Sequence, residues 1–94
     1  MKILETTTVQ YRPAIRLTPP ADMPQNDAAG VIRGVFWLLQ NEYHEVMTDY
    51  YLDYIEQTFC LCGDLTEDRT VAESQGAGVI KLLQEILPAN WSVN

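Results

Sequence analysis

The first part of the chain alternates apolar and polar residues. Between residues 3 and 18, Val9, Tyr11, Ile15 and Leu17 fall on odd positions, and Thr8, Gln10, Arg12 and Arg16 fall on even ones. A period of two is typical of a half-buried β-strand. Pro13 lacks the N–H that a central strand must donate, so we expect the strand to lie at a sheet edge, to break at Pro13, or to turn into a hairpin.

Helical spacing of apolar residues follows a loop. The loop, residues 18–27, contains three prolines, which exclude regular structure. A helix is predicted over about 27–40, and a second helical segment over about 42–62. The apolar positions continue across the junction, so one long kinked helix is the alternative to two. The first apolar stripe comprises Ile32, Val35, Phe36 and Leu39.

A last helix is predicted over about 71–87. Thr70 and Glu73 have the spacing of a capping box, and Pro88 would end the helix. Together these patterns predict an α+β, mostly helical fold, in which an N-terminal strand or hairpin packs on three helical segments (about 27–40, 42–62 and 71–87).

Length and composition indicate a single small domain. The chain has 94 residues, 47% of them hydrophobic, which is enough for one modest core. It shows neither an apolar leader nor a run of about 18 apolar residues. We therefore expect residues 1–94 to form one cytoplasmic domain.

The acidic residues are concentrated in one part of the chain. The net charge is −7, and between Arg33 and Arg69 there is no lysine or arginine. Residues 34–68, the acidic stretch, hold eight carboxylates and no basic residue, a formal charge of −8. A chain with this charge is repelled by free nucleic acid and by anionic membranes. A basic protein surface is the natural complement.

On a helix, five of these carboxylates would form a ridge. Their spacing of 3, 4, 4 and 3 residues would place them within an arc of about 80°, over a length of about 21 Å. Such a ridge is either a solvated face, quenched by Arg12, Arg16 and Arg33, or a docking surface. The five residues are Glu42, Glu45, Asp49, Asp53 and Glu56.

The docking interpretation predicts a non-enzymatic binding or inhibitor protein. Its carboxylates would imitate part of the charge of nucleic acid and occupy a basic, nucleic-acid-binding surface of a partner protein, as anti-defence or immunity-type inhibitors do. Trp37 beside Arg33 resembles an interface hot spot, although the indole could equally cover a second core. The predicted partner-binding set is completed by Trp37, Asp64, Glu67 and Asp68.

The alternative function is that of a small assembly subunit. An N-terminal strand without enough partners could pair with a second copy of the chain. Helix packing between copies could do the same through Tyr51, Leu52, Ile55 and Phe59.

Catalytic and metal motifs are weak. His44-Glu45 begins like the helical zinc-protease motif, but Thr48 stands where the second histidine is required. Cys60 and Cys62 do not form a disulfide framework, and on a helix they would point to different sides. We expect no catalytic residue, no metal and no cofactor.

Overall fold

The described part of the chain folds into two helices and an antiparallel sheet. The computed structural model describes residues 1–42, 51–55 and 58–94, and the side chains of 1–42 and 59–94. The elements, in chain order, are β1 (Lys2–Glu5), β2 (Tyr11–Thr18), α1 (Gln25–Glu42), β3 (Tyr51–Ile55), β4 (Thr58–Cys62), α2 (Arg69–Ile86) and β5 (Ser92–Val93).

The sheet is built from two hairpins placed side by side. Its strand order is β1-β2-β4-β3, with every pair antiparallel. The short β5 pairs with the end of β2, where Leu17 faces Val93. Opposite pairs fix the register: Ile3 with Pro13, Ile15 with Leu61, and Asp53 with Cys60.

Pro13 lies inside β2, which has β1 on one side and β4 on the other. An N-terminal hairpin, one of the predicted alternatives, is present with its turn between β1 and β2, and the strand that carries the proline is central rather than at an edge. The Pro13 carbonyl accepts a hydrogen bond from the Gly63 N–H at 2.9 Å, and Gly63 lies one residue beyond β4. Pro13 thus lies just beyond the last residue pair of β2 and β4, Ala14 with Cys62, where its missing N–H leaves one bond to the Gly63 side unmade.

One face of the sheet and the two helices enclose the core. The alternation of β2 and β4 sends Ile15, Leu17, Phe59 and Leu61 to this face. Helix α1 contributes Ala28, Ile32, Val35 and Leu39, and α2 contributes Ala72, Val79 and Leu83. We call the opposite face of the sheet the open face.

The helix predicted over 42–62 is wrong for residues 51–55 and 58–62, while residues 43–50 and 56–57 lie outside the described part of the chain. Residues 51–55 and 58–62 are the strands β3 and β4, joined through positions 56–57. The strands are rich in aromatic and β-branched residues, which pack well on a pleated surface. Three helical segments are thus replaced by two helices and a hairpin, because pairing with β2 stabilises the extended chain more than an isolated helix would.

Both remaining helices begin earlier than predicted. Helix α1 starts at Gln25, after Pro24, whose carbonyl accepts from the Ala28 N–H at 3.0 Å. Helix α2 starts at Arg69 and is capped by Asp68, so the capping box predicted from Thr70 and Glu73 is not the cap. An aspartate directly before the helix accepts a backbone N–H better than a threonine inside its first turn.

Candidate functional site

The predicted carboxylate ridge does not lie on one helix. Glu42 is exposed at the last residue of α1, and Asp53 lies in strand β3. Glu45, Asp49 and Glu56 lie outside the described residues. The arc and length calculated for a helical ridge therefore do not apply, because the spacing of 3 and 4 residues has a common face only on a helix.

Three further acidic residues follow β4 in the connection to α2. Glu67 is exposed and Asp64 is half-buried. Asp68 is the N-cap of α2: its carboxylate accepts from the Thr70 N–H at 2.9 Å and from the Thr70 hydroxyl at 2.6 Å. These hydrogen bonds hold the pKa of Asp68 below its usual value. Asp68 therefore has a structural role that needs no partner protein.

Trp37 is an exposed aromatic side chain on the outer side of α1. Its exposed fraction is 61%, which decides against the second core that the sequence left open. Gly30, Gly34 and Trp37 lie within about 60° of one another on a helical wheel, opposite the buried stripe of α1. No atom lies within 4 Å of the position that a Cβ would take on either glycine. This surface, the α1 outer face, is open to solvent in the described part of the chain.

The arginines proposed to quench the acidic ridge lie on different elements. Arg12 and Arg16 belong to β2, and Arg33 lies exposed on α1. The register places Arg16, Cys60 and Asp53 in one row across three strands. Arg16 and Asp53 are thus two strand spacings apart, about 10 Å between their backbones.

The open face of the sheet carries the two thiols. Cys60 and Cys62 occupy alternate positions of β4 and share this face, and their Sγ atoms are 3.8 Å apart. Cys62 is 3% exposed and Cys60 is half-buried. A shallow cleft of about 330 Å³ lies over Cys60. Its lining residues are Met1, Lys2, Ala14, Arg16, Cys60 and Asn94.

This thiol pair was missed by the sequence interpretation, which placed both cysteines on a helix. Phe59 and Leu61 are buried in the core, while Cys60 and Cys62 face the other way. The alternation of large apolar side chains with cysteines over Thr58–Cys62 was the signal that could have found it.

The described residues contain neither a group of metal ligands nor a membrane-spanning helix. Across residues 1–42, 51–55 and 58–94, no three His, Cys, Asp or Glu residues group to hold a metal ion; His44 lies outside these ranges. Neither α1 nor α2, the helices that the structure describes, is long and apolar enough to cross a membrane. Comparison of the chain with family models, curated proteins and solved structures gives no match.

Proposed function

We propose that the protein is a non-enzymatic binding protein whose acidic stretch docks on a basic, nucleic-acid-binding surface of a partner protein. The observation that carries the proposal is the charge of −8 over residues 34–68, without one lysine or arginine. The remaining residues contain five carboxylates and six basic groups, a formal charge of +1. The molecule is therefore strongly polarised along its sequence.

The described parts of the acidic stretch support a docking role by their exposure. Glu42 and Glu67 are exposed, and β3, which carries Asp53, lies at the end of the strand order. Trp37, within the same stretch, is exposed as well. Carboxylates with an exposed tryptophan suit an interface in which charge attracts the partner and the indole supplies buried area.

Charge mimicry on this scaffold is partial. Carboxylates can form charge-assisted hydrogen bonds with the lysines and arginines that otherwise hold phosphates. The described acidic groups lie on a helix end, on strand β3 and in the connection from β4 to α2, so they lack the regular spacing of phosphates along a duplex. Such a protein would block the partner's nucleic-acid site by occupying its charges.

The test compares two double variants with the same charge change. Glu42→Lys with Glu67→Lys alters the acidic stretch, and Asp22→Lys with Glu85→Lys alters exposed carboxylates elsewhere. Each pair changes the net charge by +4, from −7 to −3. The full chain and both variants are immobilised, and proteins retained from a lysate of the source organism or its host are identified by mass spectrometry.

We expect a basic nucleic-acid-binding protein to be retained by the wild type and the control pair, and lost by the Glu42/Glu67 pair. Retention should fall between about 50 mM and about 500 mM salt, and added duplex DNA should release the partner. Equal retention by both pairs, or indifference to DNA, contradicts the proposal. Circular dichroism verifies that each variant is folded.

The alternative proposal is a homodimer, in which a second copy of the chain covers the exposed surface instead of a partner protein. The helix contact predicted from Tyr51, Leu52, Ile55 and Phe59 is not available, since Tyr51–Ile55 is a strand and Phe59 belongs to the core. The strand β2, which belongs to the N-terminal segment proposed to pair with a second copy, already pairs with β1 and β4. Light scattering measures the molar mass of the wild type and of Trp37→Ala. A wild-type dimer that becomes a monomer in Trp37→Ala would show that a second copy binds the α1 outer face.

A further inference from the structure

The two cysteines of β4 differ in access to solvent while their sulfurs are neighbours. The Sγ atoms are 3.8 Å apart. Cys60 lines the cleft on the open face, and Cys62 is buried at 3% exposure. An accessible thiol beside a buried one is the arrangement of a dithiol in which one cysteine meets an external reagent and the other acts only afterwards.

Two of the described residues that line the cleft beside Cys60 are cationic, while Asp53 lies opposite Cys60 in the β3–β4 register. Lys2 and Arg16 line the cleft and are both exposed, and Arg16 is the residue directly opposite Cys60 in the β2–β4 register. Ala14, a small residue, also lines the cleft. Positive charges beside the cleft attract an anionic reagent to it.

We propose that Cys60 is a modification site for anionic low-molecular-weight disulfides, of which glutathione disulfide is the probe, and that Cys62 resolves the mixed disulfide. Lys2 and Arg16 would bind the carboxylates of the reagent. The inference is independent of the proposed docking function, because none of these residues belongs to the predicted partner-binding set.

The chemistry balances without any further reactant. The Cys60 thiolate attacks one sulfur of glutathione disulfide, so that a Cys60–glutathione bond forms, the reagent's own S–S bond breaks, and one glutathione leaves with the proton of Cys60. Cys62 then attacks the sulfur of Cys60, and the second glutathione leaves with the proton of Cys62. Two protein thiols are oxidised by two electrons, and one disulfide is reduced to two thiols.

The second step requires β4 to bend locally, because the Cβ atoms of residues two apart on a regular strand are farther apart than the separation of about 3.5–4.5 Å found in disulfides. Residues two apart on a strand have Cα atoms about 6.4–6.8 Å apart, the upper end of the range of about 4.4–6.8 Å found in disulfides. A bridge at this limit is strained and easily reduced. The modification should therefore be reversible by excess reduced glutathione.

The first experiment follows the protein mass after addition of glutathione disulfide. Cys62→Ala should accumulate one glutathionyl group on Cys60, the wild type should proceed to a protein that has lost two hydrogen atoms, and Cys60→Ala should stay unmodified. A persistent adduct on the wild type contradicts the resolving role of Cys62. Modification of Cys60→Ala at the wild-type rate overturns the whole assignment.

The second experiment tests Lys2 and Arg16 in the Cys62→Ala background. Arg16→Gln and Lys2→Gln should each slow the reaction with glutathione disulfide about fivefold, the effect of one unit charge near contact in water. The neutral 2-hydroxyethyl disulfide should react at an unchanged rate. Lys81→Gln, an exposed lysine on α2, is the matched control. Equal slowing with the neutral disulfide would show that the charges do not recognise the reagent.

Discussion

Gly76 marks a close approach of α2 to the N-terminal hairpin. A Cβ at this position would lie 2.8 Å from the Cβ of Pro13 and would also collide with the Met1 side chain. Met1 is flexible at its end, but Pro13 is fully buried within β2 and its ring is rigid. Glycine at this position is therefore a packing requirement.

We predict opposite effects for alanine at the two nearby glycines of α2. Gly76→Ala should lower the free energy of unfolding by about 1–3 kcal/mol through overpacking. Gly78→Ala, where no atom lies within 4 Å of the added Cβ, should raise it by about 0.5–1 kcal/mol, because alanine loses less backbone entropy in a helix. Urea unfolding measures both. Two changes of the same sign would exclude a specific contact at Gly76.

The stabilisation of the α2 N-terminus by Asp68 depends on pH. Because hydrogen bonds from Thr70 lower the pKa of Asp68 in the folded protein, the stabilisation by this cap is complete above the ordinary aspartate pKa. It is lost as the pH falls through the lowered folded-state pKa. Asp68→Ala should thus lower the thermal unfolding midpoint at pH near 7. In acid, where the wild type also loses the stabilisation by this cap, the two midpoints should lie closer together.

The control for this prediction is Asp68→Asn. Asparagine still accepts the Thr70 N–H but does not titrate, so this variant should keep much of the neutral-pH stability and lack the Asp68 contribution to its acid dependence. Thermal unfolding followed over an acidic pH series distinguishes the three proteins. If the thermal midpoints of all three proteins fall equally with decreasing pH, the Asp68 cap does not contribute to the pH dependence of stability.

At the scale of elements, β4 is the strand that sorts its side chains between core and open face. Leu61 is 1% exposed in the core, while Cys60, next to it, faces the cleft. A helix over the same residues would not separate neighbours so cleanly, because its faces repeat with a period near 3.6. Substitutions at successive positions of β4 should therefore alternate between large and small losses of stability.

We predict that Leu61→Ala lowers the free energy of unfolding by about 2–5 kcal/mol, as expected when a buried leucine leaves a cavity. Cys60→Ala, on the same strand but on the other face, should change it by less than about 1 kcal/mol. Chemical denaturation with a common fitted slope gives both values. Equal losses would argue against the strand assignment of β4.

At the scale of the whole molecule, the C-terminal segment ties the first hairpin to the rest of the core. β5 pairs with β2, and the Asn94 N–H donates to the Arg16 carbonyl at 2.9 Å. Trp91 is 7% exposed, and its ring centroid lies 6.3 Å from that of Phe59. The last residues of the chain thus close one end of the core.

The two tryptophans should differ sharply in their contribution to stability. Trp91→Ala should lower the free energy of unfolding by about 3–5 kcal/mol, as for other buried tryptophans. Trp37→Ala should change it by no more than about 0.5 kcal/mol, since the side chain is mostly exposed. Thermal or urea unfolding tests both, and acrylamide quenching should affect the fluorescence of Trp37 far more than that of Trp91. Similar quenching of the two would contradict the burial of Trp91.

The sequence by itself determined the elements whose patterns are local. The N-terminal alternation, the prolines before α1 and the apolar stripe of α1 each specify structure within a few residues, so the hairpin and both helices were predicted close to their places. The uneven charge distribution also belongs to the sequence, since no fold can add a basic residue to residues 34–68.

Only the tertiary structure decided that residues 51–55 and 58–62 form strands and which face of the sheet the side chains of β4 occupy. These residues offered apolar positions compatible with either period, and the partner strand that favours extension, β2, is distant in the chain. Pairing with β2 places Phe59 and Leu61 on the core face of the sheet and the two cysteines on the open face, with their sulfurs close together. The same pairing excludes the helix on which the acidic ridge was predicted. Long-range hydrogen bonding and burial overrode the local pattern because an isolated helix of this length is marginal in water.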